Sequence, residues 1–353
     1  MKPFKLPALM CALLMVIANG VCAANEGDGE RFRQIYEKEW EFRTREFPSL
    51  AFYSGLDGYA DKLGHVSEQD QRRRYEFWKG IRAELDKISC QRLDREDCIN
   101  YRIFTRQMDD FIAAYETRSY LVPFNSDWGF YMGWIRMPSE SNFSKIDDYR
   151  NYLSKLHQLP VVMDEYITLM RKGLELGITQ PRVILDGRDV PIKAQLVDSA
   201  QESPFWAPFE DIPETLASGE ESELLSTAEK VISGDVIPAF ERYYRFFNDE
   251  YKAGARTSLG ANELPGGERF YSAQIRKYAT LDMTPQEIHQ VGLGQVARIR
   301  VEMDEIIREV GFEGDFAAFL EFLRTDPQFY AKTPKELLSF ASYYAKKIDG
   351  RMP

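Results

Sequence analysis

The chain has 353 residues, with 45 Lys and Arg against 56 Asp and Glu, and a formal net charge of −11. That acidic balance argues against nucleic acid or an anionic membrane surface as partner, since both require a basic face. Its length allows one large domain or two smaller ones with a sizeable buried core.

Residues 1–23 read as a cleavable secretory signal peptide. Lys2 and Lys5 give a positive start, Leu6 to Ala18 is an uncharged apolar run, and Val21-Cys22-Ala23 offers a cleavage site after Ala23 or Ala24. A retained anchor would need about 20 apolar residues, and this run stops at Asn19-Gly20. A lipoprotein would use Cys22, but Asn19 and Val21 suit that site poorly. The expected address is therefore the periplasm or the medium, with no membrane attachment after cleavage. Losing Lys2 and Lys5 takes the net charge from −11 to −13.

Of the four cysteines, Cys11 and Cys22 leave with the signal. Cys90 and Cys98 remain as an even pair in an oxidising compartment, and a disulfide clipping the turn between two helices is expected. The alternative is two free thiols. A C-x7-C spacing matches no metal or redox motif.

Residues 24–353 predict an all-α chain, a multi-helix antiparallel bundle with a long irregular aromatic-rich segment. Apolar residues recur at three- and four-residue spacing, and alternating strand patterns are nearly absent. Gly29 to Glu46 predicts the first helix, with Phe32, Ile35, Tyr36 and Trp40 on one face. Gln69 to Ile88 and Arg95 to Thr117 predict an antiparallel hairpin joined by the cysteine-bearing turn. Ser119 to Phe143 carries Tyr120, Phe124, Trp128, Phe130, Tyr131, Trp134 and Phe143 among Gly and Pro, without helical period. Helices resume at Ile146 to Gln158 and Val161 to Leu176, with another expected from Pro181. A Pro-, Trp- and Glu-rich loop from Glu202 to Ser222 precedes a long helix near Leu225 to Tyr251. Thr284-Pro285-Gln286-Glu287 is a capping box with Pro at the first helical position. The stripe Ile288, Val291, Val296, Ile299, Met303, Ile306 and Val310 follows, closed by Gly311. Thr333-Pro334-Lys335-Glu336 repeats the cap.

Catalytic constellations are scarce. His65, His157 and His289 have no second His at ligand spacing, and there is no H-E-x-x-H to set two imidazoles on one helix face. No G-x-S-x-G elbow occurs. The carboxylates in Asp109-Asp110 and Asp147-Asp148 point about 100° apart on a helix and make poor acid–base pairs. Leu264-Pro265-Gly266-Gly267 could cradle an anion, although a tight turn is the simpler role. The aromatic segment offers a groove for a peptide or another amphipathic ligand, with Trp128, Tyr131 and Trp134 as its candidate lining. Its plainer role is a loop packed down by its own aromatics.

Pro265-Gly266-Gly267-Glu268-Arg269-Phe270-Tyr271, Tyr278 and Thr284-Pro285-Gln286-Glu287-Ile288-His289, with Gly292, Val296 and Glu302-Met303, resemble the bacterial domain of unknown function 885 family. Arg171-Lys172-Gly173, Gly177 to Arg182 and Asp326-Pro327-Gln328-Phe329-Tyr330 fit the same pattern. The likeness runs over nearly all of residues 24–353. It implies a helical, exported protein resembling zinc metallopeptidases of the H-E-x-x-H type, whose zinc-binding run lies beyond the part matched here. The resemblance therefore implies an N-terminal, substrate-flanking part of a larger hydrolase. No catalytic or metal residue carries over, no cofactor is expected in this chain, and it is expected to be inactive alone. Its partners would be a peptide and a missing C-terminal half. The other reading is a stand-alone periplasmic helical binding or scaffold protein.

Overall fold

A computed structural model describes residues 9–213 and 221–352, with side chains from residue 27. Of the signal peptide expected over residues 1–23, the first eight positions and every side chain lie outside the described residues. Among the described residues the structure is helical, and its one β-feature is an isolated bridge between Phe124 and Gly129. No described helix is long and apolar enough to cross a membrane.

The chain divides into two compact units, residues 1–280 and 281–353. The first begins with α1 (Leu9–Glu46), α2 (Pro48–Tyr53), α3 (Glu68–Leu85) and α4 (Arg95–Glu116). Ser67 opens α3 through a reciprocal cap: its hydroxyl accepts from Asp70 N at 3.3 Å, and the Asp70 carboxylate accepts from Ser67 N at 3.0 Å. Helices α1, α3 and α4 pack up, down and up around Phe32, Ile35, Trp78, Ile81, Leu85, Phe104 and Met108. The hairpin predicted for α3 and α4 is present, and Arg82 on one reaches Asp109 on the other at 2.8 Å. A disulfide joins Cys90 to Cys98 across their turn, with Cα atoms 4.9 Å apart.

The aromatic segment is less irregular than its sequence suggests, since residues Tyr131–Glu140 form α5. Tyr131 and Trp134 are its buried positions, and their three-residue spacing is helical. Density of aromatics on both sides, Gly133 and Pro138 hide that period. A second departure follows at α6 (Ile146–Glu175). Two helices are expected there, but one continuous helix runs through Pro160. Proline removes one backbone donor, and burial of Leu156, Leu159, Val162 and Met163 on both sides of it holds the helix together.

After α6, Pro181 leads only a single 3-10 turn, Arg182–Ile184, followed by α7 (Val190–Lys193). The expected long helix spans α8 (Glu221–Val231), α9 (Ile237–Arg245) and α10 (Lys252–Gly254), joined by π-helical stretches Ile232–Val236 and Phe246–Tyr251. This composite helix and α6 form the larger core, with Tyr152, Leu156 and Met163 against Phe240, Tyr243, Phe247 and Tyr251.

The α6 face toward the composite helix carries three polar pairs. His157 Nδ1 meets Asp235 at 2.7 Å, Asp164 accepts from Arg242 at 3.1 Å, and Arg171 donates to both oxygens of Glu250 at 2.6 and 2.7 Å. Both numberings rise together, so within the bundle this pair runs parallel. On α6 the partners are seven residues apart; on the composite helix the second interval is eight. The π stretch Phe246–Tyr251 takes up the extra residue. Helix α11 (Gly267–Ala279) completes the first unit.

The second unit holds α12 (Pro285–Glu309), α13 (Phe316–Thr325) and α14 (Pro334–Asp349). The Thr284 cap forms as expected: Glu287 N donates to the hydroxyl at 3.2 Å, and the Glu287 carboxylate accepts from Thr284 N at 2.7 Å. Gly311 ends α12 at φ +68°, the left-handed region glycine adopts without strain. The α12 stripe, however, lies on the surface: Val291, Val296, Ile299, Met303, Ile306 and Val310 are all exposed, and Ile307 is buried instead.

Candidate functional site

In the first unit a cleft of about 380 Å³ opens between α2, the loop after it, α5 and α6. Each wall has a local cause. Pro at the first position starts α2, which ends by setting Phe52 and Tyr53 on the surface. The following loop brings Tyr59, Lys62 and Leu63. Its course is held where Gln158 accepts from Leu63 N at 3.1 Å and donates to the Asp61 carbonyl at 2.7 Å. A tight turn presents Trp128: the Asn125 side chain accepts from Asp127 N and Trp128 N, and Asn125 N donates to the Trp128 carbonyl at 2.7 Å. Helix α5 adds Gly133, Trp134, Arg136, Met137 and Glu140, and α6 adds Lys155.

Three cations line this cleft, and each lies over a different aromatic ring. Arg136 sits 4.5 Å from the Trp128 centroid, Lys155 5.5 Å from Phe52 and Lys62 5.5 Å from Tyr59. Such contacts contribute about 0.5–1 kcal/mol at exposed sites and hold rings and charges in fixed relation. Arg136 also pairs with Glu140 at 3.3 Å. Burial pulls the Lys155 ammonium below the usual lysine range, with Asp61 partly offsetting it. The arrangement suits a ligand with apolar and anionic groups.

The three aromatic candidates separate here. Trp128 is exposed at the mouth and Trp134 forms part of the wall. Tyr131 is 4% exposed, turned into the core against Phe130 and Tyr243, and donates to the Arg188 carbonyl at 3.2 Å. Phe52, Lys62, Arg136 and Lys155 were not singled out by sequence. They come from four separate stretches, and nothing local in any of them marks a shared wall.

The other motifs are absorbed by structure. His65 Nδ1 meets Glu165 at 2.8 Å, and Glu165 also accepts from Val66 N. His289 is exposed on α12. Gly266 has φ +72°, and Gly267 N donates to the Leu264 carbonyl at 2.7 Å, so the Gly-Gly amide closes a turn. Among the described residues no three His, Cys, Asp or Glu side chains converge to hold a metal.

A family described as "Bacterial protein of unknown function (DUF885)" matches residues 48–353. No curated protein matches the chain. Among solved structures, the chain is similar to "the putative lipoprotein from Colwellia psychrerythraea", at TM-score 0.77 and 20% identity. The alignment covers 93% of this chain and 59% of that one. This chain thus spans under two thirds of its structural neighbour, and at that identity the likeness shows the fold.

Proposed function

The chain belongs to the bacterial DUF885 family of unknown function, and on that premise we propose that it is an exported protein that holds a peptide in the Trp128–Trp134 cleft. The cleft itself carries the reading: aromatics and ring-stacked cations line one space of about 380 Å³. Pockets of this size with apolar walls and few polar groups suit short ligand segments. The N-terminal pattern of Lys2, Lys5, Leu6 to Ala18 and Ala23 supports export. The motif resemblance of the sequence, which implies metallopeptidase-like relatives, supports peptide as the ligand class, with this chain supplying a substrate-flanking wall. The hydrolytic step is assigned to no residue described here.

Calorimetric titration of the mature chain with short aromatic-containing peptides tests this. Saturable binding is expected, and Trp128→Ala should weaken it at least tenfold. Gly133 offers a second probe, because a Cβ there meets nothing within 4 Å. Gly133→Phe should fill the cleft and block binding while leaving the thermal midpoint near that of the parent. Absence of saturable binding across such peptides would remove the proposal.

A further inference from the structure

Within that cleft, one side chain is placed differently from the other cations. Lys155 is half-buried on α6 and rests on the Phe52 ring. Among the described residues it has no ion-pair partner. Asp61 attracts it from a distance, while the Asp61 carbonyl is occupied by Ser154 and Gln158. An ammonium partly withdrawn from water without a direct ion pair costs free energy that an incoming anion would offset. The local balance points the same way. Lys62, Arg136 and Lys155 line the cleft with one lining carboxylate, Glu140, and with Asp61 acting on Lys155 from beside it, in a chain whose net charge is −11. An acidic protein that gathers cations in one aromatic cleft focuses its field on anions there.

We propose that Lys155 is a specificity-determining residue that reads a carboxylate of the bound peptide, with Arg136 and Lys62 guiding it at the rim. This rests on the peptide-binding reading above. The ligand places an apolar or aromatic side chain against Trp128 and Trp134, and its carboxylate reaches the ammonium over Phe52. That carboxylate comes either from the peptide's C-terminus or from an Asp or Glu side chain.

The test uses three matched peptides of one aromatic sequence titrated into the mature chain: a free acid, its C-terminal amide, and an amidated form with one added Glu. The free acid, or the Glu peptide, should bind at least tenfold tighter than the plain amide, and which of the two does so identifies the source. Lys155→Met should erase that preference while retaining affinity for the amide, and Lys155→Arg should restore it. Equal wild-type affinity for all three peptides would overturn the carboxylate assignment and leave the cleft reading standing. Binding of none would overturn the cleft reading itself. A preference that survives in a folded Lys155→Met protein would also overturn the role of Lys155.

Discussion

Glu39 on α1 has no exposed surface, yet carries a carboxyl group. Its oxygens accept from Trp78 Nε1 at 3.1 Å and from Arg43 at 2.8 Å. Burial raises its pKa above the ordinary 4.5, and Arg43 and Trp78 only partly reverse this. The folded state therefore holds this proton more tightly than the unfolded chain. Its stabilising contribution is fully present below pH about 4.5 and is lost as pH rises through the raised folded value. In Glu39→Gln the group cannot titrate, so wild type should lose stability relative to the variant across that window. Urea unfolding of both proteins at several pH values from 4 to 8 measures it; a constant difference would contradict the assignment.

Among the elements, those with their own start and stop signals were legible in sequence. Thr284 with Glu287 marks the start of α12, Gly311 marks its end, and Thr333 caps α14 through Glu336 N at 3.1 Å. Elements specified by distant packing were not legible. Pro160 reads as a break, but the helix passes through it because its flanking apolar residues are buried against a partner some eighty positions away. Helix α5 was masked by aromatics on all sides. The cleft was half legible: tryptophans advertise themselves, whereas Lys155 looks like any surface lysine until α2 arrives above it. The π stretch Phe246–Tyr251 gives this a direct test. Deleting Asn248 should convert it to an ordinary turn, rotating Tyr251 out of its buried seat and separating Glu250 from Arg171. A loss of about 3–5 kcal/mol is expected in urea unfolding, as for removal of a buried aromatic. Asn248→Ala, which keeps the residue count, should stay within about 0.5 kcal/mol.

Across the whole molecule, apolar burial is uneven. Residues 1–280 close two aromatic-rich cores, whereas residues 281–353 leave their apolar faces in water. Within that unit a small cluster of Phe312, Phe319, Phe322 and Phe329 packs ring on ring, and Arg300 covers Phe316 at 4.0 Å. Val296 and Leu338 are each 68% exposed. Exposed apolar surface in such amount marks an interaction site or an aggregation liability. Val296→Glu combined with Leu338→Glu should reduce binding of a hydrophobic dye and slow aggregation, with unfolding free energy changed by no more than about 0.5 kcal/mol per site. A loss of several kcal/mol would mean that these side chains pack against something in the isolated chain.

The parallel pairing of α6 with the composite helix also sets a timetable. The last residue of α6 is made roughly 75 positions before Tyr251, the last deep anchor of its partner. At about 5–20 residues per second, the face bearing Leu156, Met163 and Met170 waits on the order of 4–15 s for its cover. During that interval the half-made chain presents this face of α6 before the composite helix that covers it has been synthesised. A route that keeps the chain unfolded until residue 251 emerges suits such an arrangement.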